Sequence, residues 1–171
     1  MVEIDEIRPE EADDAKDLLC RCFCEFWGDP DTTVEEMRQF VEERRGLRDL
    51  DDIEAEYFQN RGTFLVVRDD GEVVGTGALR RFEDDICELC RMWLLPEYRR
   101  QGLGTRLAER LLDFAREQGY ETVRLHTVSD LEGAIQFYER LGFHHIERYK
   151  ETDHSDVFME MDLEDREGGR D

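Results

Sequence analysis

Lysine is almost missing from this 171-residue chain: among 23 basic residues only Lys16 and Lys150 are lysines, against 45 acidic residues and a net charge of −22. So negative a chain repels nucleic acid and anionic membranes, whose binding rests on basic patches, and neither is expected as a partner. Long apolar runs are also lacking; none approaches the ~20 residues of a membrane helix. The amino terminus "MVEIDEIRPE" has neither the basic nor the apolar part of a signal peptide, so a cytoplasmic protein is expected. The five cysteines (Cys20, Cys22, Cys24, Cys87 and Cys90) form an odd set that supports neither a disulfide framework nor a zinc knuckle, and no metal is expected.

With 39% hydrophobic residues the chain can bury one sizeable core, most simply as a single domain over 1–163. The tail "EDREGGRD" is expected to be disordered. Acidic residues are spread along the chain instead of forming one tail. An acidic mesophilic protein would account for this, but the dispersion favours adaptation to molar salt, where screening shortens to ~3 Å and self-repulsion is suppressed.

Strand and helix signals alternate without a linker or repeat. "VEIDEIR" (2–8) alternates apolar and acidic residues, and Pro9 then opens a helix towards Trp27. Residues 33–58 read as one or two acidic helices broken near Gly46. "TFLVVRDDGEVVGTGALRRFE" reads as a hairpin turning at Asp70-Gly71. The strand "ICELCRMWLLP" precedes a helix from Gly102 to about Gln118, stopped by Gly119; "TVRLHTV" is the next strand, and "LEGAIQFYERLGF" a helix ending at Gly142. Two strands, near 143–150 and 155–162, complete a mixed α/β domain.

The stretch "EYRRQGLGTRLAERLL" is the one place where arginines and glycines crowd together before an apolar helical stripe of Leu103, Leu107, Leu111 and Phe114. Glycines at 102 and 104 let the backbone approach a ligand, and the helix start presents unpaired N–H groups and the positive end of its dipole, which together suit a phosphate. An ordinary helix start with solvated arginines would look similar. Neither a P-loop, which needs Gly-Lys-Ser/Thr, nor the G-x-G-x-x-G dinucleotide fingerprint fits these residues.

"ELCRMWLLPEYRRQGLGTRLAERLLDFA" together with "LHTVSDLEGAIQFYERLGF" resembles the GNAT superfamily of N-acetyltransferases. The likeness covers roughly 62–150 well and the amino-terminal part only by the order of its elements. It implies an α/β (α+β) single domain with a central mixed, largely antiparallel sheet of about six to seven strands flanked by about four helices. It also implies acetyl-CoA as co-substrate. The diphosphate would rest on the turn Arg99, Arg100, Gln101, Gly102, Leu103, Gly104 and Thr105, with arginine charge in support; the pantetheine arm would pair with the backbone of Met92, Trp93 and Leu94. One departure stands out: many members carry asparagine where this chain has Leu131.

Acetyl transfer to an amine needs a base, because a lysine-type amine has a pKa of ~10.4, and the departing thiolate needs a proton. The resemblance points to Tyr138 as the acid, although its spacing also suits a core tyrosine. Strand alternation puts Glu88, Cys90, Met92 and Leu94 on one face, so Glu88 is a carboxylate on an apolar row whose pKa desolvation would raise, a candidate base with Glu83, Asp84 and His126 as competitors. Phe23, Phe26 and Trp27 in "CRCFCEFWGDP" are candidate walls of the acceptor site, which His126 would also face; such aromatics also make ordinary core. The acceptor is a small-molecule or protein amine, a homodimer stays open, and two other readings remain: a non-catalytic acyl-CoA-binding module, and a transferase for a longer acyl group.

Overall fold

The computed structural model describes residues 1–152 and 154–163. The tail expected to be disordered lies outside the described residues.

Seven strands form one sheet: β1 (Val2–Glu6), β2 (Thr63–Asp69), β3 (Glu72–Glu83), β4 (Ile86–Leu94), β5 (Thr122–Thr127), β6 (His144–Ile146) and β7 (Val157–Asp162). Their spatial order is β1-β2-β3-β4-β5-β7-β6, and every pairing is antiparallel except β4 with β5. Among the described residues four α-helices accompany them: α1 (Ala12–Trp27), α2 (Val34–Glu43), α3 (Leu103–Glu117) and α4 (Glu132–Leu141). A parallel neighbour needs a crossover, and α3 supplies it between β4 and β5.

The expected turn chemistry is present. Asp70 (φ 50°) and Gly71 (φ 86°) close the β2–β3 hairpin in left-handed conformations, and Gly142 (φ 116°) ends α4 the same way. Thr33 caps α2 by accepting a hydrogen bond from the Glu36 amide at 3.1 Å.

Strand alternation sends Leu65 and Val67 of β2 to one face of the sheet and Phe64 and Val66 to the other. The first face packs under α3 and α4 through Leu107, Leu111 and Tyr138; the second packs under α2 and the segment after it through Met37, Leu50 and Tyr57. Helix α1 contributes to both cores, with Leu18 in the first and Leu19 in the second. A buried ion pair fastens the start of α1 to the sheet: Arg68 of β2, 1% exposed, donates from Nε and Nη2 to the two oxygens of Glu11 at 2.7 Å each.

Residues 33–58 hold α2, a break around Gly46, then a 3₁₀ turn at Arg48–Asp51 and a π-helical turn at Glu54–Phe58, in line with the expected one or two helices. Two expectations change. The strand expected near 143–150 shortens to β6, because Tyr149 and Lys150 turn inward to Glu88 instead of continuing the ladder. In β4 a bulge at Arg91, which takes φ 57°, inserts a residue between the pairs Ala78↔Cys90 and Thr76↔Trp93. One extra residue flips the faces beyond it. Cys90 therefore packs with the α2 side, whereas Met92 and Leu94 join the α3 side, and the single row of Glu88, Cys90, Met92 and Leu94 does not form.

Candidate active site

The parallel strands β4 and β5 are paired only from Ile86↔Thr122 to Glu88↔Arg124 and then part. A cleft of about 1940 Å³ opens where they separate, running from the turn before α3, past Tyr138, to Phe23, Trp27 and Arg45.

At the α3 end the chain forms a nest of amides. Arg100 (φ 61°) and Gly102 (φ 82°) both adopt left-handed conformations. Among the described residues the backbone amides of 100–105 have no backbone acceptor; the first donor of α3 is Arg106, to the Gly102 carbonyl at 3.0 Å. Unpaired N–H groups at a helix start attract an anion. A Cβ at Gly102 would meet nothing within 4 Å, whereas one at Gly104 would rest 3.7 Å from the Phe137 ring.

The side chains of this turn divide. Arg100 is exposed and lines the cleft, as does Thr105. Arg99 does not offer its charge: its guanidinium grips Glu25 with two 2.8 Å bonds and the Leu94 carbonyl at 2.9 Å, and its amide donates to Pro96. The expected arginine charge around the nest thus reduces to Arg100, because α1 supplies a carboxylate that claims Arg99. Gln101 folds back onto the Glu97 carbonyl, and the Leu103 side chain is core. Leu131 is 9% exposed at the start of α4, where it makes no side-chain cap.

Midway along the cleft sits Tyr138 of α4, held by Phe137 and Phe143. Its hydroxyl has no hydrogen-bond partner among the described residues, and burial, with Cys90 nearby, pushes its pKa well above the usual tyrosine range. It therefore holds its proton at neutral pH.

Glu88 is 2% exposed and lines the cleft. Lys150 donates to Oε1 at 3.0 Å and Tyr149 to Oε2 at 2.8 Å, while Arg80 stands 3.7 Å away and His126 3.8 Å away. Burial by itself would raise its pKa, as alternation suggests. The Lys150 hydrogen bond and charge, then Tyr149 and His126, overcome that and hold it below the usual carboxylate range. The expectation of a raised pKa is thereby corrected: Glu88 is ionised.

His126 lines the same cleft, its Nδ1 2.6 Å from the Ser155 hydroxyl, and burial lowers its pKa against the pull of Glu88, so it is neutral at pH 7. Glu83 and Asp84 are exposed around the β3–β4 turn, outside the cleft lining. At the far end Phe23, Phe26 and Trp27 stack on Trp93, with ring centroids 5.4–5.9 Å from it. Phe26 and Trp27 are exposed on the cleft wall, whereas Phe23 also packs against the core on the α2 side.

Sequence reasoning missed the floor of this end. Asp49 accepts two bonds from Arg91, at 2.6 and 3.1 Å, and one from Tyr57 at 2.5 Å; the Tyr57 hydroxyl also lies 3.7 Å from the Cys90 thiol. Burial works against the Asp49 carboxylate, but Arg91 outweighs it and lowers the pKa. Burial also pushes the Cys90 thiol up to about 11, so it is protonated. Cys87 and Cys90 have a C-x-x-C spacing, but on β4 the two face opposite sides, Cys87 in the α3-side core and Cys90 against the α2 side.

The strand pair thus parts beside an amide nest, with a protonated tyrosine and a buried carboxylate in the gap. Residues 13–143 match the model of the acetyltransferase (GNAT) family, and the chain belongs to that family. It is 42% identical over 101 residues to the uncharacterized N-acetyltransferase YjgM of Escherichia coli K12, a match covering 57% of this chain and 60% of that one. The matched region spans only 33% to 48% of seven further curated relatives. A GNAT-family acetyltransferase from Staphylococcus aureus Mu50 superposes with a TM-score of 0.82 at 20% identity, covering 95% of this chain and 99% of that one. The PaiA N-acetyltransferase of Thermoplasma acidophilum, solved in complex with coenzyme A, superposes with a TM-score of 0.72 at 20% identity and the same coverages.

Proposed function

We propose that the protein is an N-acetyltransferase that moves an acetyl group from acetyl-CoA to a primary amine by direct attack of the amine on the thioester. The observation that carries this reading is the parting of β4 and β5 after Glu88↔Arg124 between the amide nest and the pair Tyr138 and Glu88. The fit is chemical: six unpaired amides at 100–105 suit a diphosphate, and the β4 backbone from Met92 to Leu94 runs along the gap that a pantetheine arm would follow.

Acetyl-CoA supplies an activated acyl carbon and a thiolate leaving group. The chain's residues supply the rest. Glu88, ionised, takes the amine proton directly or through water as nitrogen bonds to the acyl carbon. Tyr138, protonated and without another partner among the described residues, gives its proton to the sulfur as the carbon–sulfur bond breaks. The products are an N-acetylated amine and the free thiol; Glu88 gives the amine proton up to solvent and the tyrosine regains its own from solvent. The thiol of Cys90 stays protonated and offers no competing thiolate.

The test is thiol release from acetyl-CoA with a panel of amines in molar potassium chloride, together with mass detection of the acetylated product. Tyr138→Phe is expected to lower kcat by about 10²-fold with little change in acetyl-CoA affinity. Binding of acetyl-CoA without transfer to any amine would favour the non-catalytic module, and transfer of longer acyl groups at equal rate would broaden the donor.

A further inference from the structure

The cleft departs from the rest of this acidic chain. Among the described residues eight arginines line it against seven carboxylates, although acidic residues outnumber lysine and arginine 45 to 23 in the sequence. Three of these arginines have close partners, and four others, Arg45, Arg48, Arg100 and Arg140, are exposed. Arg91 is tied to Asp49 and the Gly46 carbonyl, Arg99 to Glu25, and Arg44 to the Phe40 carbonyl at 3.0 Å while lying over the Phe40 ring.

Arg80 is different. Among the described residues its side chain, 27% exposed, has ion-pair partners only in the Glu56 carboxylate at 3.5 Å and Glu88 at 3.7 Å, both longer than the 2.7–2.9 Å of a good charge-assisted bond. Its guanidinium carbon stands 5.5 Å from the centre of the Tyr57 ring, which holds the plane in place. The result is a half-buried guanidinium fork beside the candidate base with no close bidentate partner. Glu56 is 44% exposed, a loosely held carboxylate that a ligand can replace.

Resting on the acetyl-transfer reading, we propose that the acceptor is an amino acid or another amine bearing a carboxylate, and that Arg80 is the residue that binds this carboxylate. Arg80 and Glu88 are cross-strand partners in β3 and β4. A carboxylate on the Arg80 fork thus sets the neighbouring amino group beside the Glu88 carboxylate, where its proton is removed. Glu56 moves aside as the substrate carboxylate takes its place, so charge at the fork stays balanced. The exposed Arg45 and Arg48, also in the cleft lining, draw anions towards this mouth.

The experiment compares amino acids with their amides and methyl esters at saturating acetyl-CoA, and measures calorimetric binding of an N-acetylated amino acid and its amide to the protein alone. Wild type is expected to prefer the free carboxylate by about 10- to 100-fold in kcat/KM, the worth of one charged hydrogen-bonded fork. Arg80→Gln should collapse that ratio towards one in both turnover and binding; Glu56→Gln should lower KM for the carboxylate form alone. If Arg80 only balances the charge of Glu88, Arg80→Gln will lower both rates together and keep the ratio, which overturns the inference. Transfer to amines without preference for a carboxylate overturns it too and leaves the acetyl-transfer reading standing. Absence of transfer to every amine, with acetyl-CoA bound, overturns both.

Discussion

The ammonium of Lys150 lies 3.0 Å from Oε1 and 2.9 Å from Oε2 of Glu88, so one of only two lysines in the chain neutralises the carboxylate buried in the cleft. The partner comes from the irregular segment between β6 and β7 and not from the element that carries Glu88.

This pairing sets a pH dependence with a definite sign. Glu88 has its pKa lowered from 4.5, so it is charged at and above that value, and the stabilisation it provides is lost only as pH falls through its folded pKa. Lys150→Met removes the hydrogen bond and charge that oppose burial, and the pKa should rise. The acid limb of kcat/KM is then expected to move to higher pH in Lys150→Met and to vanish in Glu88→Gln, read from pH profiles of all three proteins. Superimposable profiles for wild type and Lys150→Met would show that another group titrates.

At the other end of the cleft the critical feature is backbone. Gly102→Glu should abolish acetyl-CoA binding by calorimetry, because it places bulk and negative charge against the nest. Any side chain at φ 82° also strains the turn by about 1–2 kcal/mol. A Cβ there meets nothing within 4 Å, so the fold should survive, with a melting temperature only a few degrees lower. Retained affinity in a folded Gly102→Glu protein would remove the diphosphate from this turn.

Why some of this was legible and some not follows from how far each signal reaches. The β2–β3 hairpin and the ends of α3 and α4 are written in local chemistry: Asp70-Gly71, Gly119 and Gly142 all take positive φ, as their turns require. The bulge in β4 carries no such mark. Arg91 adopts φ 57° without being glycine, and what fixes it is distant: the Thr76 hydroxyl donating to its carbonyl at 2.6 Å and Asp49 gripping its guanidinium. Counting by twos along β4 correctly faces Glu88 and Cys90 together but loses Met92 and Leu94 beyond the insertion. The sign of the Glu88 pKa depends likewise on Tyr149 and Lys150, more than sixty residues away in sequence, and alternation alone could supply only the burial half of the balance.

The buried pair Glu11–Arg68 offers a stability test apart from the cleft. Glu11 is 6% exposed and accepts from Arg68 twice and from the Arg8 amide at 2.8 Å. Removing one member strands the other: Arg68→Met is expected to cost about 3–5 kcal/mol in denaturant unfolding, whereas replacing both by apolar residues should cost much less. The Glu11 pKa is lowered, first through the Arg68 hydrogen bond, so this contribution is present above its ordinary 4.5 and fades as pH drops below that. Equal losses for single and double replacements would mean that packing, not charge, sets the cost.

Salt separates that pair from the surface. We propose that the dispersed carboxylates adapt the protein to molar salt, since a net charge of −22 repels itself most when unscreened. The screening length falls from ~10 Å at 0.1 M to ~3 Å at 1 M, so exposed like charges a few residues apart lose most of their repulsion over that range. Buried contacts such as Glu11–Arg68 are screened much less and should not weaken in step. The melting temperature and the rate of acetyl transfer are therefore both expected to rise between low and molar potassium chloride. The stability difference between wild type and Arg68→Met should stay nearly constant over the same series. A melting temperature that is flat or falling from 0.1 M to 2 M would place the acidic surface outside salt adaptation. If the wild type–Arg68→Met difference collapses with salt, the Glu11–Arg68 pair is solvent-accessible in solution.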